Sequence, residues 1–203
     1  MKRWIWASLL LGASAAWAQL GEVSVSVGRS SLRNASLGTV EGTDERGAPM
    51  NIELDATTDV RVGFRFTVNA WTHLGHEFGY AYNHGKLRLQ TTPRQEVGMP
   101  MHQGFYNFLA YATAEGAKVR PFVAGGGHFS TFYPPGTGVF SGNGVTKFGV
   151  NYGGGIKVRV SETLMLRLDV REYAQGKPDI YGQANLKGWL RQMETSMGVA
   201  FVF

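Results

Sequence analysis

The segment DVRVGFRFTV, residues 59–68, alternates without a break. Val60, Val62, Phe64, Phe66 and Val68 take one face of an extended chain, and Asp59, Arg61, Gly63, Arg65 and Thr67 take the other. Successive side chains of a strand point to opposite faces. A chain written this way must therefore set one face of a sheet against an apolar medium and the other against a polar one. The phase is expected to run back through Ile52, Leu54 and Ala56, giving a strand longer than a membrane is thick.

The same period recurs along the chain. Val23, Val25 and Val27 alternate with Ser24 and Ser26, and Leu74, Phe78, Tyr80 and Tyr82 with Gly75, Glu77, Gly79 and Ala81. Phe148, Val150, Tyr152, Ile156 and Val158 alternate with Gly149, Asn151, Gly153, Gly155 and Lys157. Leu164, Leu166, Leu168 and Val170 face away from Met165, Arg167, Asp169 and Arg171. The closing stretch sets Met197, Val199, Phe201 and Phe203 against Ser196, Gly198 and Ala200. Segments 104–112 and 119–132 also read as strands, without a clear face assignment, because the first is apolar on both sides and the second carries Pro121 and three consecutive glycines. That makes eight strands. Short connections near 69–72, 114–118 and 161–163 alternate with long polar ones near 31–51, 83–102, 133–144 and 174–192. The pattern is that of an all-β, eight-stranded antiparallel up-and-down barrel.

Residues 1–18 precede this pattern and read as a secretory signal peptide. Lys2 and Arg3 lead an apolar run, and Ala16-Trp17-Ala18 is a small-x-small cleavage site. The run is too short to span a bilayer, which takes about 20 residues. Cleavage leaves residues 19–203 as one barrel domain and lowers the net charge from +5 to +3. So mild a charge, with no basic run, gives no case for nucleic acid. The chain has no cysteine, which excludes disulfides and thiolate metal sites.

Alternation alone leaves two barrels open. A soluble lipid-binding barrel turns its apolar rows inward, and a transmembrane barrel turns them toward lipid. Three features favour the second. The polar rows are rich in glycine, of which the chain has 28, and small residues make room for long charged ones in a narrow lumen. The charges can be matched: a turn centred on 71 sets Arg65 opposite Glu77, and one centred on 161 sets Arg167 opposite Gly155 and Asp169 opposite Gly153. An interior network of Arg61, Arg65, Glu77, Arg167, Asp169 and Arg171 is therefore expected, since buried charges must be paired. Finally, a closed barrel pairs its last strand with its first. Phe203 then lies at a membrane–water rim with Trp71, and Tyr80 and Tyr82 form the aromatic girdle of the opposite rim.

VRPFVAGGG, FGVNYGGGIKVRVSETLMLRLDVREY and the terminal MGVAFVF, in that order, resemble the outer-membrane β-barrel domain family of Gram-negative bacteria, the small OmpA- and OmpX-like barrels. The resemblance implies an eight-stranded outer-membrane barrel with both termini in the periplasm. Its partners would be outer-membrane lipids, lipopolysaccharide and the barrel-assembly machinery, which would read Phe201 and Phe203 as a C-terminal signal. It also implies an exported, monomeric protein without a cofactor, whose role is structural or adhesive and carried by outer loops, with at most a narrow pore. The aromatics of interest in and beside those loops are Phe105, Phe132, Tyr133, Phe140, Tyr181 and Trp189.

Some barrels of this architecture modify lipid A, and a deacylase among them uses a His-x-Ser pair with a downstream Glu. His128 and Ser130 have that spacing. No acidic residue occurs from Thr131 to Ser161, and Glu162 lies in a short turn at the other end of the barrel, so a catalytic set is not expected. His73 and His76 fall on opposite faces, and no histidines have metal-ligand spacing.

Overall fold

A computed structural model of the chain describes residues 21–43, 49–91, 95–134, 143–180 and 188–203. The expected signal peptide, Phe140 and Tyr181 lie outside the described residues. The strands are β1 (Gly21–Arg33), β2 (Ser36–Thr43), β3 (Pro49–Trp71), β4 (Leu74–Leu89), β5 (Gln95–Gly98), β6 (Met101–Tyr111), β7 (Val119–Phe132), β8 (Val145–Arg159), β9 (Leu164–Gly176) and β10 (Trp189–Val202). Eight of them close a barrel in which each strand pairs antiparallel with the next and β1 pairs with both β3 and β10. Residues 72–73, 112–118 and 160–163 are the three short connections.

Following the register once around the wall leads from Glu22 through Thr67, Glu77, Asn107, Gly126, Asn151, Tyr173 and Gln192 back to β1 at Leu32, a shear of 10 residues. Shear and strand number together fix tilt and diameter, and eight strands leave a lumen only wide enough for side chains.

The apolar rows point outward. Val25, Val27, Val62, Phe64, Phe78, Phe148, Leu166, Leu168, Met197 and Phe201 are exposed, whereas Arg61, Arg65, Glu77, Arg167, Asp169 and Arg171 are buried. A soluble lipid-binding barrel has the reverse arrangement. The two unassigned strands obey the same rule. Gln103, Phe105, Asn107, Leu109 and Tyr111 of β6 face the lumen, as do Arg120, Phe122, His128 and Ser130 of β7.

Three expectations need correction. The regions read as the first two long loops contain strands, because β3 and β4 continue past the barrel and β2 and β5 pair with their extensions. The phase of β3 does not run back unbroken. A bulge between Thr58 and Arg61 puts an extra residue on β3 and inverts its faces, so that Leu54 and Ala56 are fully buried. The registers also differ from those drawn from symmetric turns. Arg65 faces Gly79 and Glu77 faces Thr67, after an irregularity between Asn69 and Trp71. Arg167 faces Lys157 and Asp169 faces Gly155, with Arg171 opposite Gly153. The reasoning about space still applies at these positions: a Cβ at Gly79 would stand 2.2 Å from the Phe105 ring, and one at Gly153 the same distance from the Val170 carbonyl oxygen.

The long-loop end holds an apolar core of its own. Leu37 of β2, Leu54 and Ala56 of β3, Leu87 of β4, Met99, Met101 of β6, Phe132 of β7, Ile180 and Leu190 of β10 pack together across the barrel mouth.

Candidate functional site

The lumen is the most heavily built polar region of the molecule. Among the described residues it buries six cations, Arg61, Arg65, Arg120, Lys157, Arg167 and Arg171, with four carboxylates, Glu22, Glu77, Asp169 and Glu194. Alternation aims all of them inward, and burial then requires each to find partners.

Three clusters stack along the axis. Nearest the short turns, Lys157 Nζ pairs with Glu22 and donates to the Tyr111 hydroxyl at 2.9 Å, while Asn69 donates to Glu22 at 2.8 Å. The Arg120 guanidinium lies 3.8 Å from the Tyr111 ring centroid, a cation–π contact. In the middle, Arg167 binds Asp169 through Nε at 2.7 Å and Nη2 at 2.9 Å, a bidentate fork. The same Arg167 reaches Glu77 at 2.6 Å, and Arg171 joins Glu77 at 2.8 Å and Asp169 at 3.0 Å. Toward the mouth, Glu194 collects Arg61 at 3.0 Å, Arg65 at 2.6 Å, the Tyr173 hydroxyl at 2.7 Å and the Ser196 hydroxyl at 2.6 Å. Arg61 also donates to Asn83 at 2.9 Å, to Gln103 and to Tyr173.

The structure therefore brings Glu77, Arg167, Asp169 and Arg171 into one cluster, with Arg65 4.0 Å from Asp169. Arg65 binds Glu194 rather than Glu77, as the shifted register dictates. Sequence reasoning missed Glu22, Arg120, Lys157, Tyr173 and Glu194. The signal was available for most of them: Glu22 is in phase with Ser24, Lys157 with Gly155, and Glu194 with Ser196 and Gly198.

His128 and Ser130 share the inward face of β7. His128 Nε2 is 2.9 Å from the Gln175 amide oxygen, and Ser130 accepts from Gln103 Nε2 at 2.9 Å. The pair belongs to the buried polar interior and faces away from the outer side of the wall.

The aromatics sort by face. Trp71 is 60 % exposed at the β3–β4 turn, and at the same end the rings of Phe66 and Phe203 stack 6.5 Å apart. On the outward face of β4, Tyr80 and Tyr82 gather around His102, which also meets Tyr133 edge-on at 5.2 Å. A second histidine, His76, holds the Tyr106 hydroxyl at 2.7 Å and packs on Trp71 and Phe108. Trp189 is exposed, whereas Phe105 lies inside against Tyr173 and Phe132 belongs to the mouth core.

An apolar belt around an ion-paired lumen, closed without a sheet edge, is the arrangement that a strand protein needs in hydrocarbon. The fold is that of the small outer-membrane β-barrels. The outer-membrane protein OprG from Pseudomonas aeruginosa superposes with a TM-score of 0.60 at 11% identity, covering 91% of this chain and 97% of that one. The outer-membrane protein AlkL, solved by solid-state NMR in DMPC bilayers, gives 0.58 at 15% identity over 94% of each chain. Neisserial surface protein A gives 0.54 at 12% identity, covering 90% of this chain and 97% of that one. No protein-family model matches the sequence, and none of the curated proteins does. At these identities the outer-membrane barrels share this chain's fold, while its role must be read from its own residues.

Proposed function

We propose that this chain resides in the bacterial outer membrane as a sealed scaffold, with its short turns in the periplasm. It carries the β2–β3–β4–β5 sheet beyond the outer face of the membrane for contacts of an adhesive or envelope-stabilising kind. One observation carries this reading: the lumen is filled from end to end, by three ion-paired clusters and then by the apolar core at the mouth. A barrel built this way offers solutes no water-filled path, and its useful surface is the part that projects. Phe201 on the outward face of β10 and the exposed Phe203 just past its end fit the role of a terminal assembly signal, and Trp71 with Tyr80 and Tyr82 fit two interfacial girdles.

The test is conductance. Purified, heat-modifiable protein in planar bilayers should give no discrete steps in molar potassium chloride. Glu77→Ala combined with Asp169→Ala, which strips the central cluster of its carboxylates, should still give none while the mouth core is intact. Steady wild-type channels would refute the sealed-scaffold reading.

A further inference from the structure

The short-turn end of the lumen holds more positive charge than its carboxylates answer. Arg120 on β7 stands directly across the register from Lys157 on β8, and Lys157 directly across from Arg167 on β9. Three buried cations thus lie side by side on one row of the inner wall. Like charges opposed on antiparallel strands repel one another. Arg167 is matched by Asp169 and Glu77, and Lys157 by Glu22. Arg120 is 1 % exposed and pairs with no carboxylate among the described residues. Its contacts are the Tyr111 ring and the Thr72 carbonyl oxygen, which accepts from Nη2 at 3.4 Å, and its buried Nε has no acceptor. Arg159, next in the inward row of β8, donates to the Glu162 carbonyl at 3.2 Å and is likewise without a carboxylate among the described residues.

Further donors stand beside Arg120. The Tyr111 hydroxyl accepts from Lys157 at 2.9 Å, which leaves its own O–H free to donate. Lys157 directs two of its three N–H groups at Glu22 and Tyr111 and keeps the third. An uncompensated charge in the interior is strongly destabilising, and a counter-charge drawn in beside it restores the balance. Glu115, in the neighbouring turn, does not take that role: its buried Oε1 accepts no hydrogen bond.

We infer that the short-turn end of the lumen binds a small inorganic anion of chloride size, held by Arg120 Nε, Lys157 Nζ and the Tyr111 hydroxyl. One negative charge there, together with Glu22, balances Arg120 and Lys157 and relieves their repulsion. The barrel sets the size. Eight strands leave a lumen only wide enough for side chains, and Leu109, Tyr111 and Phe122 pack together at this level, which favours a halide over a tetrahedral oxyanion. The anion enters from the short-turn mouth and goes no further, because Glu77, Arg167, Asp169 and Arg171 close the lumen beyond it. The site therefore stabilises the barrel without making it a channel.

The test is urea unfolding of the full chain refolded in micelles, at constant ionic strength, with sodium chloride exchanged for sodium gluconate, whose anion is too large to enter. A ligand bound only by the folded state raises the folded-to-unfolded ratio by the factor 1 + [L]/Kd, so chloride at about ten times its dissociation constant should raise it about elevenfold. Arg120→Gln removes the unmatched charge. In gluconate this variant should unfold at the same urea concentration as the wild type or a higher one, and chloride should no longer shift it. An Arg120 that served packing alone would instead lose stability equally in both salts when replaced. Arg29→Gln, on the outer wall, should keep the full chloride response. Bromide soaked into crystals of the wild type should give an anomalous peak between Arg120 and Lys157, a measurement that needs no variant. The same midpoint in chloride and gluconate, which is the result expected if water or Glu115 serves Arg120, would overturn the inference. So would a chloride response that survives Arg120→Gln, or bromide crystals with no peak at this site.

Discussion

Glu194 is the residue whose loss the lumen should feel most. Its carboxylate is fully buried, accepts hydrogen bonds from Arg65, Tyr173 and Ser196 at 2.6–2.7 Å, and is ion-paired with Arg61 at 3.0 Å. Glu194→Gln keeps the shape and one acceptor oxygen, but it removes the negative charge and turns an amide NH₂ toward a guanidinium. The remaining described lumen charges would be six cations and three carboxylates, in a space that water does not reach. Breaking a buried ion pair by removing one partner costs about 3–5 kcal/mol, and here one carboxylate serves two arginines. The exposed Arg29–Asp59 pair is the internal reference, with side chains 81 % and 61 % accessible; Arg29→Gln should cost no more than about 1 kcal/mol. Tyr173→Phe removes the hydroxyl that donates to Glu194 and accepts from Arg61, and it should fall between them, at roughly 1.5–3 kcal/mol. The assay is urea unfolding from lipid vesicles, read by the fraction migrating as heat-modifiable barrel on an unboiled gel. Added salt should narrow the Arg29→Gln effect and leave that of Glu194→Gln nearly unchanged. If Glu194→Gln unfolds at the same urea concentration as Arg29→Gln, the lumen is hydrated and the case for a sealed interior fails.

Other expectations concern the wall and its extension. Val62→Arg puts a cation on the lipid face and should cost roughly 2–4 kcal/mol at mid-bilayer depth, measured by the same unfolding series. Gly153→Ala should reduce the folded yield, because its Cβ would stand 2.2 Å from the Val170 carbonyl oxygen, whereas Gly125→Ala, with its nearest atom 4.0 Å away, should fold normally. Glu96 is held below the usual carboxylate range by hydrogen bonds from Lys86 and Arg88. A lowered folded-state value means that the contribution of these pairs to the docking of β5 on β4 is fully present at neutral pH and is lost as the pH falls through that value. Amide exchange in β5 should therefore quicken between pH 6 and 3 relative to exchange in β6, and an equal rise in both strands would refute the assignment.

Alternation is written residue by residue, so the sequence alone announces the eight barrel strands, the two faces of six of them and, through glycine and charge in one row, which row lies inside. Phe64 outward and Arg65 inward follow from two neighbouring letters. Partner choice does not follow in this way. One irregularity near Asn69 moves Glu77 from Arg65 to Arg167 and Arg171, and Glu194 becomes the counter-ion of two arginines more than a hundred positions away. The bulge after Thr58 turns Leu54 and Ala56 from the expected outer row into the mouth core, where Ile180 meets them from the far end of the chain. The facing of a side chain depends on local backbone geometry, whereas register, shear and closure depend on hydrogen bonds between distant strands. Only the assembled barrel could decide which charges meet and that an apolar core crosses the mouth.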